Sequence, residues 1–233
     1  MRVLFLTHRL PYAANRGDRI RGLQLLTHIA EFADVDLVSL AHSRDEAEHA
    51  GDLRGVAASV SLARTEPLRN YARAAAAVFL GGALTHKLLD ASAMPGVIRR
   101  VVDAHRPDVV LALCSGMARF ALAAPLDDIP LVVDMIDVDS EKWRSLSARA
   151  RGPRRWVYGM EARRLAPFEA LASERSKAVL VVNERGDVAT AKLEGGTRIV
   201  VVKGAGWESG MTGEIRENGR VLAWRDGSIW TRP

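Results

Sequence analysis

Two kinds of hydrophobic pattern take turns along the chain. Short apolar runs without internal alternation give way to stretches where apolar residues recur every three or four positions. That is the signature of buried parallel strands alternating with amphipathic helices. The runs at 1–7, 35–40, 56–62, 108–113, 130–136, 178–182 and 198–202 read as strands. Helices are expected over 20–32, with Ile20, Leu23, Leu26, Ile29 and Ala30 on one face, and over 66–89, 93–105, 118–124 and 144–172. A further short helix is expected at 187–193, and 44–52 reads as a surface turn or short helix. The rhythm predicts one α/β domain over residues 1–202, Rossmann-like, with a doubly wound, mostly parallel sheet. Residues 203–233 hold six glycines and three tryptophans and break the rhythm, so an irregular tail is expected there, with room for a small hairpin at 219–227.

Composition changes this picture little, and charge changes it more. An apolar share of 48% is enough for a real core. A net charge of +5 favours anionic partners such as nucleotides or phospholipids. The single cysteine, Cys114, excludes an intrachain disulfide and a cysteine metal cage. No leader pattern stands at the start, where Arg2 precedes a short apolar run broken by His8 and Arg9. The expectation is a cytoplasmic protein, with peripheral contact at the inner membrane face as a further option. That option comes from 66–89, where Arg69, Arg73, His86 and Lys87 flank an apolar run of a kind that can lie on an anionic bilayer. Packing on the sheet is the alternative reading of the same helix.

Candidate chemistry gathers first in the loop 8–21, between the first strand and the first helix. His8, Asn15, Arg16, Gly17, Asp18 and Arg19 stand where a strand feeds a helix, a favourable place for a phosphate. One glycine is too few for the dinucleotide fingerprint, and no Gly-Lys-Ser/Thr follows the strand. The same residues also read as a plain turn with Asp18 as helix N-cap. A second candidate is Ser115 in the segment 114–117, although no Gly-x-Ser-x-Gly elbow surrounds it. A third is the acidic turn holding Asp137 and Asp139, which spells the Asp-x-Asp of metal-dependent sugar transferases. Asp137 is better used as a general base toward an acceptor hydroxyl. Asp134 reads as a buried structural group, and Asp139 with Ser140 also reads as a helix cap. The remaining histidines lack metal-ligand spacing, so neither a metal nor a cofactor is expected. The arginines between 151 and 164 read as a solvated helix face, and no nucleic-acid partner is expected.

Several segments carry a family resemblance. Thr7-His8-Arg9-Leu10-Pro11-Tyr12 with Asn15-Arg16-Gly17-Asp18-Arg19-Ile20-Arg21 resembles the opening of family-4-type glycosyltransferases. Ser115 to Phe120, Val133 to Trp143, and Arg155 to Tyr158 with Glu161 to Leu165 and Phe168-Glu169 resemble, more narrowly, the sugar transferases associated with the exosortase/PEP-CTERM system. The resemblance implies the GT-B architecture, two Rossmann-like domains facing a cleft, and a role in exopolysaccharide or cell-envelope biosynthesis. It implies a nucleotide-sugar donor as co-substrate, a glycan or lipid-linked acceptor, and no metal. By it, Gly17 with Arg16, Asp18 and Arg19 would line the diphosphate and acceptor side, and Asp137 would sit near the acceptor hydroxyl. The matched segments cover about 1–202. Beyond them the family has a donor-binding domain, whereas Lys203-Gly204-Ala205-Gly206 leads into the unmatched tail, so a truncated transferase is expected. The other readings are a stand-alone module for a phosphorylated ligand or polyanion, and a non-functional fragment.

Overall fold

The computed structural model describes residues 1–12, 16–136 and 138–182, and beyond them the backbone of strands at 188–194, 198–204, 212–216, 221–224 and 229–231. The chain divides into two compact units, Met1–Val132 and Val133–Pro233.

In the first unit the order along the chain is β1 (Arg2–Thr7), α1 (Gly17–Ala30), β2 (Asp34–Ala41), α2 (Arg44–Glu48), β3 (Ser59–Arg64), α3 (Pro67–Leu80), α4 (Leu84–Leu88), α5 (Met94–Ala104), β4 (Val109–Leu113) and α6 (Ser115–Ala121). The strands pair in parallel in the order β3-β2-β1-β4, with Leu6 in register with Val38 on one side and Ala112 on the other. Strand β1 is central, so both its faces are covered, and Leu4, Phe5 and Leu6 are fully buried. This is why its sequence shows no alternation. Each such side chain contributes about 1.5–3 kcal/mol relative to exposure. Leu26 of α1 and Met117 of α6 are fully buried as well. Helix α1 packs very close: a Cβ placed on Gly22 would lie 3.2 Å from Pro11 Cβ and 3.3 Å from Leu113 Cδ2.

Strand β5 (Leu131–Asp134) runs across the boundary between the units. The second unit continues with α7 (Asp139–Arg149), α8 (Pro153–Arg175) and β6 (Ala178–Val182), whose Leu180 carbonyl accepts from the Met135 N–H at 3.1 Å. Strands β7 (Val188–Glu194), β8 (Arg198–Gly204), β9 (Thr212–Arg216), β10 (Val221–Trp224) and β11 (Ile229–Thr231) then follow. From β6 to β11 each pairs antiparallel with the next. The fold is α/β and Rossmann-like, with a mostly parallel sheet from the strands that alternate with helices.

Three expectations are corrected. The helix expected at 187–193 is strand β7, and its residues Ala189, Ala191 and Leu193 alternate with Thr190, Lys192 and Glu194, a period of two. The helix expected over 66–89 is two helices, because Gly81 and Gly82 follow α3 with φ of 95° and 92°, a region that only glycine enters without strain. The helix expected over 144–172 starts at Asp139 and breaks at Gly152, φ 60°, before Pro153 opens α8. The basic charge of α3 is also internally matched: Arg69 pairs with Glu66, and Arg73 with Asp90, each at 2.8 Å. Among the described residues no helix is long and apolar enough to cross a membrane.

Candidate functional site

The loop after β1 is built around one carboxylate. Asp18 receives His8 Nε2 at 3.2 Å, and Arg9 and Arg16 approach it at 3.4 and 3.5 Å. Asp18 is the second residue of α1 and does not cap it; Arg16 is the N-cap residue, in extended conformation, with no side-chain cap. The competing turn-and-cap reading thus gives way to an ion cluster, in which three basic side chains share one acid. Gly17 is an ordinary helical residue, and a Cβ there would meet nothing within 4 Å, so no backbone constraint demands glycine. Asn15 lies outside the described residues.

Burial alone would depress the His8 imidazole, but Cys114 and the Asp18 carboxylate outweigh it and push its pKa up to about 10. His8 is in turn the main cause that holds the Asp18 carboxyl well below its usual range, against burial. The sign of the pH dependence follows. The imidazolium's contribution to stability is complete below its ordinary 6.5 and is lost as pH rises through about 10. The carboxylate's contribution is present above its ordinary 3.8 and is lost as pH falls below it. Asp18→Asn is expected to lower the melting temperature most at about pH 6, with the gap from the parent narrowing as pH rises toward about 10 and the arginine pairs keeping part of it. A gap that stays constant across that range would contradict the pairing.

Arg19 is held elsewhere. Its guanidinium meets Glu46 Oε1 at 3.2 Å and lies 4.6 Å over the Tyr12 ring, which stacks on His49 at 4.2 Å. The sequence placed Arg19 with the ligand cations; the structure gives its charge an internal partner. Glu46 was not among the sequence candidates, yet it anchors the loop. It is buried and also accepts the Leu10 N–H at 3.2 Å and the His42 N–H at 2.7 Å. His42 in turn donates Nε2–H to the His8 carbonyl at 2.7 Å, and burial lowers its pKa, favouring the neutral ring. The pattern Ser43-x-x-Glu46 was the available signal, since Ser43 Oγ accepts the Glu46 N–H at 3.0 Å as a capping box requires.

At the end of β4, Cys114 has φ 76° and stands at the N-cap position of α6 without a side-chain cap. Because β1 and β4 are parallel neighbours, His8 and Cys114 follow the two strands' paired residues, and their side chains interact. The segment 114–117 is therefore no open loop. Ser115 is the first residue of α6 and is fully buried, a poor position for direct contact with a substrate.

In the second unit, Asp137 lies outside the described residues. Asp134 is buried at the end of β5, as the sequence suggested. Asp139 opens α7, but the cap expected from Asp139 and Ser140 is supplied by α8: the Ser140 N–H donates to Glu169 Oε1 and Oε2 at 3.2 and 3.3 Å. Burial raises the Glu169 carboxyl above its ordinary pKa, the Ser140 contact opposes this, and the charge of Asp139 adds to it. Among the described residues no group of three or more His, Cys, Asp or Glu could hold a metal ion.

No protein-family model and no curated protein matches the chain. Solved structures do. UGT89C1 of Arabidopsis thaliana, complexed with UDP, is 15% identical over 77% of this chain and 44% of its own, with a TM-score of 0.38. The sucrose-phosphate synthase of Thermosynechococcus elongatus is 11% identical over 78% of this chain, with a TM-score of 0.52. The chain spans 42% of that structure's length, and the likeness between the two is one of fold: the Rossmann-like architecture described above.

Proposed function

We propose that this chain is the acceptor-side half of a GT-B glycosyltransferase of the family-4 type, moving a sugar from a nucleotide donor to a glycan or lipid-linked acceptor. The observation that carries the reading is the cation cluster at the carboxyl end of β1, where Arg9, Arg16 and the protonated His8 converge on one acid among the described residues, Asp18. In an open α/β sheet this is the edge at which ligands bind. A diphosphate arriving there would offer the cluster a second anion, and Arg16, more than half exposed, is the side chain best placed to turn toward it. The fold likeness to a sucrose-phosphate synthase supports the same reading. Asp137 would accept the proton of the acceptor hydroxyl, and Asp139 would contact the acceptor. The reading assigns Gly17 the unobstructed space through which a phosphate approaches the start of α1.

Titration calorimetry of the full chain with nucleoside-diphosphate sugars tests it. Binding of the diphosphate moiety is expected to be weak, with Kd roughly millimolar, and salt-sensitive. Arg16→Ala should reduce it severalfold, while Asp137→Asn should leave it unchanged. No heat at low salt, or binding indifferent to Arg16, would sink the assignment.

A further inference from the structure

Between Glu141 and Glu161 the sequence has no acidic residue but six basic ones, Lys142, Arg144, Arg149, Arg151, Arg154 and Arg155. Arg144 is matched by Glu141. Arg151, Arg154 and Arg155 are not: all three are exposed, and none has an acidic partner among the described residues. They surround the corner where α7 turns into α8. Gly152 makes the turn, Pro153 starts α8, and Ser147 Oγ donates to the Arg155 carbonyl at 2.9 Å, tying the last turn of α7 to the first of α8. Trp143 and Tyr158 pack with ring centroids 5.2 Å apart and brace the same pair of helices. The corner is thus a firm platform for its charges. The last turn of α7 and the first of α8 also carry two apolar side chains exposed to solvent, Leu146 at 39% and Trp156 at 54%.

We infer that this corner docks on an anionic phospholipid surface. Three unmatched arginines within five residues repel one another in water, and a dense sheet of phosphates removes that repulsion. Tryptophan beside arginine is the pairing found at membrane interfaces, where the indole enters the headgroup layer and the cations stay at the phosphates. A nucleic acid would use the same charges but has less use for Leu146, which enters an acyl boundary readily. Helix α3, the membrane candidate in the sequence, has exposed apolar residues but spends Arg69 and Arg73 on internal acids. The corner spends none of its three. This inference goes beyond the proposed sugar transfer and does not rest on it.

The test is co-sedimentation of the full chain with vesicles of one part phosphatidylglycerol to three parts phosphatidylcholine, and with pure phosphatidylcholine. Binding only to the anionic vesicles, weakening with salt, is expected. Each arginine near such a surface is worth about fivefold in partitioning, so the triple variant R151A/R154A/R155A should bind roughly 100-fold more weakly. Trp156→Ala should weaken binding several-fold while keeping the salt dependence. Circular dichroism of each variant checks that α7 and α8 persist, and these exposed positions should not disturb them. Equal binding to both vesicle types, no binding to either, full binding by the triple variant, or tighter binding to a DNA duplex than to the anionic vesicles would each overturn the inference.

Discussion

Glu46→Ala is expected to destabilise the first unit by about 3 kcal/mol, more than any single change among the candidate ligand residues. The side chain lies buried among three donors: the Leu10 N–H, the His42 N–H and the Arg19 guanidinium. Alanine takes the acceptor from two backbone donors and a carboxylate from an almost buried guanidinium, and a charge resists desolvation more than an amide does. Glu46→Gln keeps one acceptor oxygen and should lose about half as much. Chemical denaturation measures both, and amide exchange at Leu10 and His42 should quicken in step. A loss under about 1 kcal/mol would mean that Glu46 does not anchor the loop.

The second large effect lies in the other unit and turns on the contrast between two substitutions. Glu169→Ala should lower stability by about 2 kcal/mol, because the Ser140 N–H at the start of α7 loses its acceptor. Glu169→Gln should be neutral or stabilising near pH 7. The carboxyl pKa is raised in the folded state, so between its ordinary 4.5 and the folded value the native protein binds more protons than the unfolded chain. Stability therefore falls as pH rises through that window, and glutamine removes the slope. Thermal unfolding followed from acid to neutral pH would show the slope in the parent and its absence in Glu169→Gln. Parallel profiles would contradict the buried-carboxylate assignment.

The strands and helices that bear the candidate site were legible because burial writes them directly into the pattern. Strand β1 is covered on both faces and reads as an unbroken apolar run; α5, with Val97 and Ile98 buried, reads at helical spacing. What stayed hidden were contacts set by strand order. No spacing in the sequence says that β4 lies beside β1, so His8 and Cys114, 106 positions apart, could not be paired. Asp18 followed glycine near a helix start and so resembled a cap; only the positions of His8, Arg9 and Arg16 show it as a shared counter-ion. Glu46 and Glu169 were missed for a similar reason. A buried glutamate in an acidic or basic helix looks the same in sequence as a solvated one, and its partners come from other elements.

The close seat of Gly22 against Pro11 and Leu113 has a consequence for how the loop can change. Pro11 and the body of α1 lie so close that a methyl at position 22 would need its neighbours to give by a few tenths of an ångström. A larger residue at position 22 would therefore act at a distance. Pro11 follows closely on His8 and Arg9, which meet Asp18, so pushing Pro11 aside would be felt at the cation cluster and not only in the packing of α1.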